Sequence, residues 1–223
     1  MTAKPAAAAA AIISCAGLSS RMGRFKPLLP LSGHPVLWHT LQTAKSADLW
    51  PLILVTGYRN QDIGLMLKHE ELAADLDQVL NPQYEHTDML KSYQIGLARL
   101  LSLDPACEQA FFWPADVPLV KRETLLTLIR TAPEADAVIP SVDGRGGHPP
   151  LFRKAQFPAI LKLKSADGGL RALRRQAGFT TAYAVVQDPG CLLDADTEAD
   201  YQQLQAYSQK LAAEEAGPHA ADS

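Results

Sequence analysis

Three stretches of this chain carry residues that could work together on phosphate. The first, Gly17-Leu18-Ser19-Ser20-Arg21-Met22-Gly23-Arg24-Phe25-Lys26, places three cations within six positions beside two glycines. Small side chains let backbone N–H groups approach an anion, and Arg and Lys supply fixed positive charge there. The second, Trp113-Pro114-Ala115-Asp116-Val117-Pro118, holds one carboxylate on a turn stiffened by two prolines. The third is Asp194-Ala195-Asp196-Thr197. Mg²⁺ favours one or two carboxylates together with phosphate oxygens and water, so a loop and acids of this kind could form a metal-assisted transfer site. Each acid also has a plainer role open to it. Asp116 could cap a helix beginning near Lys121, and Asp194 or Asp196 could cap the last helix. On extended chain the two late acids point to opposite faces, so at most one readily reaches a shared metal.

The elements that must position these residues follow from apolar patterning. Short apolar runs at 10–14, 52–56, 79–81, 110–113 and 137–140 predict buried strands. Helical spacing predicts amphipathic helices from Pro35 to near Asp48, from Gln61 to about Leu76, and over 90–101. Strand, loop and helix thus repeat three times, which indicates a Rossmann-like three-layer α/β/α fold with a mostly parallel central sheet. In such sheets ligands bind beyond the carboxyl ends of the strands. That rule puts the 15–26 loop, Gly57, Asn81 and the 114–118 turn along one rim. The second half predicts short helices at 158–164 and 168–176, strands at 182–187 and 191–193, and a closing helix over 197–213. The expected organisation is a disordered extension over 1–9, one domain over 10–207 and a disordered tail over 208–223.

Two further stretches could line a substrate pocket. Asp143-Gly144-Arg145-Gly146-Gly147-His148-Pro149-Pro150 exposes backbone N–H groups through its glycines. His148 itself has an ordinary structural role open to it, and no Ser or Cys is placed to form a triad with it. Asp167-Gly168-Gly169-Leu170-Arg171 could bring a helix N-terminus and a cation to the same place. The glycine loop is neither a Walker A sequence nor GxGxxG, so the phosphate-binding reading rests on its glycines, its cations and its position.

Bulk properties exclude several classes. The chain has 223 residues and a net charge of −3, which argues against a long polyanion such as nucleic acid as partner. Cys15, Cys107 and Cys191 are an odd, widely spaced set without CxxC, unlike a disulfide framework or thiolate metal site and consistent with the cytoplasm. Lys4, an alanine run and Ile12-Ile13-Ser14-Cys15 imitate a lipoprotein signal, but the charged region has one Lys and the apolar stretch is brief. No run approaches the roughly 18 apolar residues of a membrane span.

The order of motifs resembles a known family. Cys15-Ala16-Gly17-x-Ser19-x-Arg21-Met22-Gly23-x-x-Lys26-x-Leu28-Leu29-Pro30 is similar to the N-terminal signature of the MobA-like nucleotidyltransferases. Asn81-Pro82-x-Tyr84, Met89-x-x-Ser92, Asp116-Val117-Pro118-Leu119, Gly146-Gly147-His148-Pro149 and Leu193-Asp194-Ala195-Asp196-Thr197 continue the likeness through the chain, and the set looks nearest to the molybdenum cofactor cytidylyltransferase branch.

The resemblance implies a Mg²⁺-dependent enzyme that joins a nucleoside monophosphate to a phosphorylated acceptor and releases pyrophosphate. Cys15, Ala16, Gly17, Leu18, Ser19 and Ser20 would hold the nucleotide, together with Gly57, Asn81 and Ser92. Arg21 and Lys26 would lie on its triphosphate and act with Asp116 in catalysis. Asp116, Asp194 and Asp196 would serve the metal. Gly146, Gly147, His148, Pro149 and Arg171 would face the acceptor. Guanylyltransferase relatives typically have glycine where Ala16 stands, which favours CTP. The implied acceptor is molybdenum cofactor, with a molybdenum enzyme or its chaperone as a further partner. The alternatives are another acceptor, such as a sugar or polyol phosphate, or a non-catalytic cofactor-binding or delivery protein.

Overall fold

Along β1 (Ala10–Cys15) successive side chains alternate between two cores, and this alternation fixes the layering of the molecule. Ala11, Ile13 and Cys15 pack with α1 (Val36–Ser46), α2 (Asn60–His69) and α4 (Arg122–Arg130). Ala10 and Ile12 pack with α3 (Met89–Leu103) and α5 (Phe157–Lys162) on the other face. The result is a three-layer α/β/α fold. The computed structural model describes residues 9–18 and 22–216.

The central sheet runs β10-β7-β9-β6-β1-β4-β5, with β4 Leu52–Thr56, β5 Asp77–Leu80, β6 Gln109–Pro114, β7 Ala137–Val142, β9 Leu151–Arg153 and β10 Thr181–Val185. A two-residue β8, Arg145–Gly146, pairs with β7. β1 pairs in parallel with β4 and β6, β4 with β5, and β10 with β7. β9 is antiparallel to both β6 and β7. The register sets Cys15 opposite Thr56 and Ser14 opposite Pro114, so the loops after β1, β4 and β6 leave from one rim. The hairpin β2 (Pro30–Leu31) and β3 (His34–Pro35) lies beyond the first loop. It packs through Leu29, Leu31 and Val36 against Leu119 and α6 (Glu198–Ala216), which contributes Tyr201 and Leu204.

Several expected elements change. Ala9 belongs to the core, buried and accepting a hydrogen bond from the Trp50 N–H; residues 1–8 of the expected extension lie outside the described residues. α2 stops at His69 rather than near Leu76. Glu71 takes a left-handed conformation, with φ 56°. The Leu72 and Glu71 N–H groups then donate back to Leu67 and Lys68. This is a Schellman stop with Glu in the place usually taken by glycine. The expected strand at 191–193 is instead a 3₁₀ turn over Pro189–Leu192, held by the buried Asp188. The 168–176 helix is a 3₁₀ segment, Gly169–Arg175. The closing helix runs beyond the expected limit to Ala216. Among the described residues no helix is long and apolar enough to cross a membrane.

Candidate functional site

At the rim a cavity of 340 Å³ opens between the loop after β1 and the segment leading into α3. Ala16, Gly17 and Leu18 form one wall, and Tyr84, Asp88 and Ser92 belong to the other. Lys26, Asp116 and Asp196 complete the lining. The sequence places Lys26 at the start of a 3₁₀ turn, Lys26–Leu28, whose backbone is fixed by Pro27. Lys26 is therefore buried at the cavity, 8% exposed, although it is a lysine at the end of a loop.

A buried ammonium requires partners. Lys26 Nζ donates to Asp196 Oδ1 at 2.5 Å and to Asp116 Oδ2 at 3.2 Å. Burial alone would draw the Lys26 amine down, but the hydrogen bond to Asp196 and the charge of Asp116 leave it above its usual range. The backbone enforces this convergence. The Ala115 N–H donates to the Ser14 carbonyl, holding the 114–118 turn to the end of β1. The Ala195 N–H donates to the Asp116 carbonyl, which draws the late acidic stretch to the same point. Residues ninety and more positions apart in sequence thus meet on one amine.

The capping alternatives fail for the two acids that meet there. α4 is capped from elsewhere, since Asp188 Oδ2 accepts the Lys121 N–H. α6 is capped by Thr197 and Asp200, which exchange reciprocal hydrogen bonds. Asp116 and Asp196 are left to face Lys26. Asp194 stands apart: it is exposed and, among the described residues, makes no ion pair. Its carboxyl is raised above the usual range by partial desolvation and by the charges of Asp196 and Asp116. Asp196, rather than Asp194, is the acid that joins Asp116. Among the described residues no three His, Cys, Asp or Glu side chains form a ready-made metal cage. Two carboxylates converging on a cation do suit Mg²⁺, which takes its remaining ligands from phosphate and water.

The other expected nucleotide residues divide. Cys15, Ala16, Gly17, Leu18 and Ser92 line the cavity. Ser19, Ser20 and Arg21 lie outside the described residues. Burial pushes the Cys15 thiol well above its usual range, with Asp116 adding to the effect, so it stays a neutral thiol. Asn81 does not line the cavity. It is buried, and its amide donates to Thr87 Oγ1 at 3.0 Å and Ser92 Oγ at 3.2 Å. Its Oδ1 accepts the Gln83 N–H. Asn81 therefore shapes the 82–88 wall from beneath. Gly57 has a similar supporting place. A Cβ there would lie 2.6 Å from Tyr84 Cβ and 2.7 Å from the Ala16 carbonyl oxygen, so only glycine lets the two walls approach.

Tyr84 and Met89, which stand in the motifs quoted above, also line the cavity, as do Glu85, Thr87 and Asp88, which were not among the expected site residues. Asp88 carries a local signal, since it caps α3 by accepting the Lys91 N–H. Sequence reasoning missed Asp188 entirely.

On the acceptor side, the His148 N–H donates to the Cys191 carbonyl at 2.8 Å. A Cβ on Gly147 would come within 2.6 Å of that same oxygen, which explains a glycine there. His148 Nδ1 is buried without a hydrogen-bond partner. Burial lowers the imidazole's proton affinity, Asp116 raises it and Arg171 lowers it, for a net fall that keeps the ring neutral near pH 7. Both charged groups are thus within electrostatic reach of the ring. Arg171 is exposed, Pro149 is buried, and Gly146 is exposed in β8. None of the four residues Gly146 to Pro149, nor Arg171, lines the 340 Å³ cavity.

The family model described as the MobA-like NTP transferase domain matches residues 11–182. The chain belongs to this family. It is a nucleotidyltransferase by kinship, with the lysine and two acids just described at its rim. Molybdenum cofactor cytidylyltransferase of Escherichia coli (strain K12) is 26% identical over 192 residues, covering 85% of this chain and 92% of that protein. CMP-5'-(3-aminopropyl)phosphonate synthase of Streptomyces rubellomurinus is 33% identical over 136 residues, 59% of this chain. The match spans only 20% of that longer protein. Rv0371c from Mycobacterium tuberculosis H37Rv is similar in structure, with a TM-score of 0.74 and 25% identity, covering 88% of this chain and 97% of that one. That mycobacterial protein has also been solved as a complex with manganese, which matches with a TM-score of 0.70 at 23% identity over 88% of this chain and 97% of that one.

Proposed function

We propose that the protein transfers CMP from CTP to the molybdopterin form of molybdenum cofactor and releases pyrophosphate, with Mg²⁺ as the metal. The observation that carries the transferase chemistry is the convergence of Asp116 and Asp196 on Lys26 at a cavity walled by the Gly17 loop. The E. coli relative, matched over most of both chains, supports the cofactor acceptor. Both curated relatives are named for cytidylyl chemistry, and Ala16 in place of glycine agrees with CTP.

In this reading the acceptor phosphate, already an anion at neutral pH, attacks the α-phosphorus in line. A new P–O bond forms as the bond to the β-phosphate oxygen breaks, and pyrophosphate departs. No protein nucleophile or general base is needed, so the chain's contribution is positioning and charge neutralisation. Backbone N–H groups of the Gly17 loop hold the phosphates, and Lys26 offsets charge on the transferring and departing groups. Asp116 and Asp196 would hold the metal, which supplies Lewis-acid polarisation of the phosphoryl oxygens when bound. Gly146 to Pro149 and Arg171 take the acceptor side. The streptomycete relative acts on a phosphonate by its name, so a different phosphorylated acceptor is the second reading.

Nucleotide choice is read by thermal shift with CTP, GTP, ATP and UTP in Mg²⁺. A ligand that binds only the native state at 100 times its Kd adds about 2.7 kcal/mol. For a domain of this size that raises Tm by roughly 5–11 °C. CTP is expected to give the largest rise; an equal or larger rise with GTP would reject the cytidine assignment.

A further inference from the structure

Lys26 is asked to serve two partners that cannot both be satisfied. As found, its Nζ lies on Asp196 and Asp116 at 2.5 and 3.2 Å, buried at the place where the two carboxylates converge. A divalent cation held by the same oxygens needs bonds of about 2.0–2.1 Å for Mg²⁺. It would stand within a few ångströms of the ammonium, and two unscreened positive groups at that range repel strongly. The proposed reaction meanwhile wants Lys26 on phosphate. Its backbone is fixed by the 26–28 turn, but the four-carbon stem carries a freely reorientable ammonium.

We infer that Lys26 is an internal counter-ion that exchanges places with the divalent cation. Without nucleotide it offsets one of the two charges of the Asp116–Asp196 pair and holds the two loops together, so the metal binds weakly. Arrival of a polyphosphate draws the ammonium across the cavity onto phosphate oxygens, and the metal takes over the contacts that Lys26 gives up on the two carboxylates. Nucleotide and metal are therefore positively coupled, and by linkage each tightens the other by the same factor. This deepens the proposed function and rests on the reading that the cavity receives a nucleoside triphosphate. It assigns Lys26 a role in the empty protein that the transfer reaction alone does not require.

The test uses Mn²⁺ as probe, with free Mn²⁺ followed by electron paramagnetic resonance. In nucleotide-free protein, Lys26→Gln is expected to bind Mn²⁺ at least tenfold more tightly than wild type, while Lys26→Arg, which keeps the charge, stays as weak as wild type. A folded Lys26→Gln variant that binds no more tightly than wild type would overturn the exchange. The unmodified protein gives a second reading that needs no variant. With a CTP-only titration subtracted, wild-type protein is expected to bind Mn²⁺ at least tenfold more tightly when CTP is present; equal affinity with and without CTP contradicts the coupling. Tighter binding by Lys26→Gln with no effect of CTP, GTP, ATP or UTP on wild type would uphold the counter-ion role and reject the nucleotide reading, so the two failures are separable.

Discussion

Asp116→Asn is expected to lower kcat by about 10²–10³, the loss typical of removing one group that stabilises transition-state charge. The substitution keeps the side chain's size, removes its charge and turns one acceptor oxygen into a donor, and Asp116 follows Ala115, whose N–H holds the turn to the end of β1. The fold should tolerate it. Lys26 keeps Asp196 at 2.5 Å, and the Asp116 carbonyl still accepts the Ala195 N–H. Steady-state pyrophosphate release and a melting curve on the same preparation separate the two effects. Turnover within threefold of wild type would refute the metal assignment, even if the transfer reaction itself were sound.

The largest stability effect should come from a residue that touches no substrate. Asp188 is 1% exposed. Its Oδ2 accepts the Lys121 N–H at 2.8 Å and Thr124 Oγ1 at 2.7 Å, and its Oδ1 accepts the Gly190 N–H at 3.1 Å. Asp188→Ala strands these three donors at once, together with the Cys191 thiol that donates to Oδ2 at 3.4 Å; each buried backbone or hydroxyl donor costs about 1–3 kcal/mol when left unmade. A total loss of about 3–5 kcal/mol follows, allowing for relaxation. At roughly 2–4 °C per kcal/mol, Tm should fall by about 6–20 °C. Asp188 also fixes the Pro189–Leu192 turn that leads to Asp194 and Asp196, so the residual folded protein should bind Mn²⁺ less well. Calorimetry is the check, and a Tm within 2 °C of wild type would show that the network is not a structural hub.

The parallel layout was legible because β1, β4 and β6 are uninterrupted apolar runs between amphipathic helices, and that pattern has few other uses. The rim followed from it, and with it the neighbourhood of Lys26 and Asp116. What stayed hidden depends on contacts distant in sequence. β9 is three residues long and earns its place by filling the gap between β6 and β7 in antiparallel register, a pairing no local pattern encodes. The end of α2 was misjudged because Glu71, not glycine, makes the left-handed stop, and Leu72 is held back by Leu67. Cys191-Leu192 reads as strand by composition, but Asp188 bends it into a 3₁₀ turn. Asn81 has the type and place of a ligand residue and turned out to be a brace for the 82–88 wall. The pairing of Lys26 with Asp196 joins residues 170 positions apart, brought together where the Ala195 N–H is held by the Asp116 carbonyl.

The claim that unites the fold, the cavity and the kinship is cytidylyl transfer. Its most direct measurement is pyrophosphate release by purified protein supplied with Mg²⁺, molybdopterin cofactor and each nucleoside triphosphate in turn. Release with CTP is expected to depend on the acceptor, to exceed that with GTP or ATP by at least tenfold, and to fall by about 10²–10³ in Asp116→Asn. No release from CTP, GTP or ATP, with protein shown to be folded and acceptor shown to be intact, would contradict it.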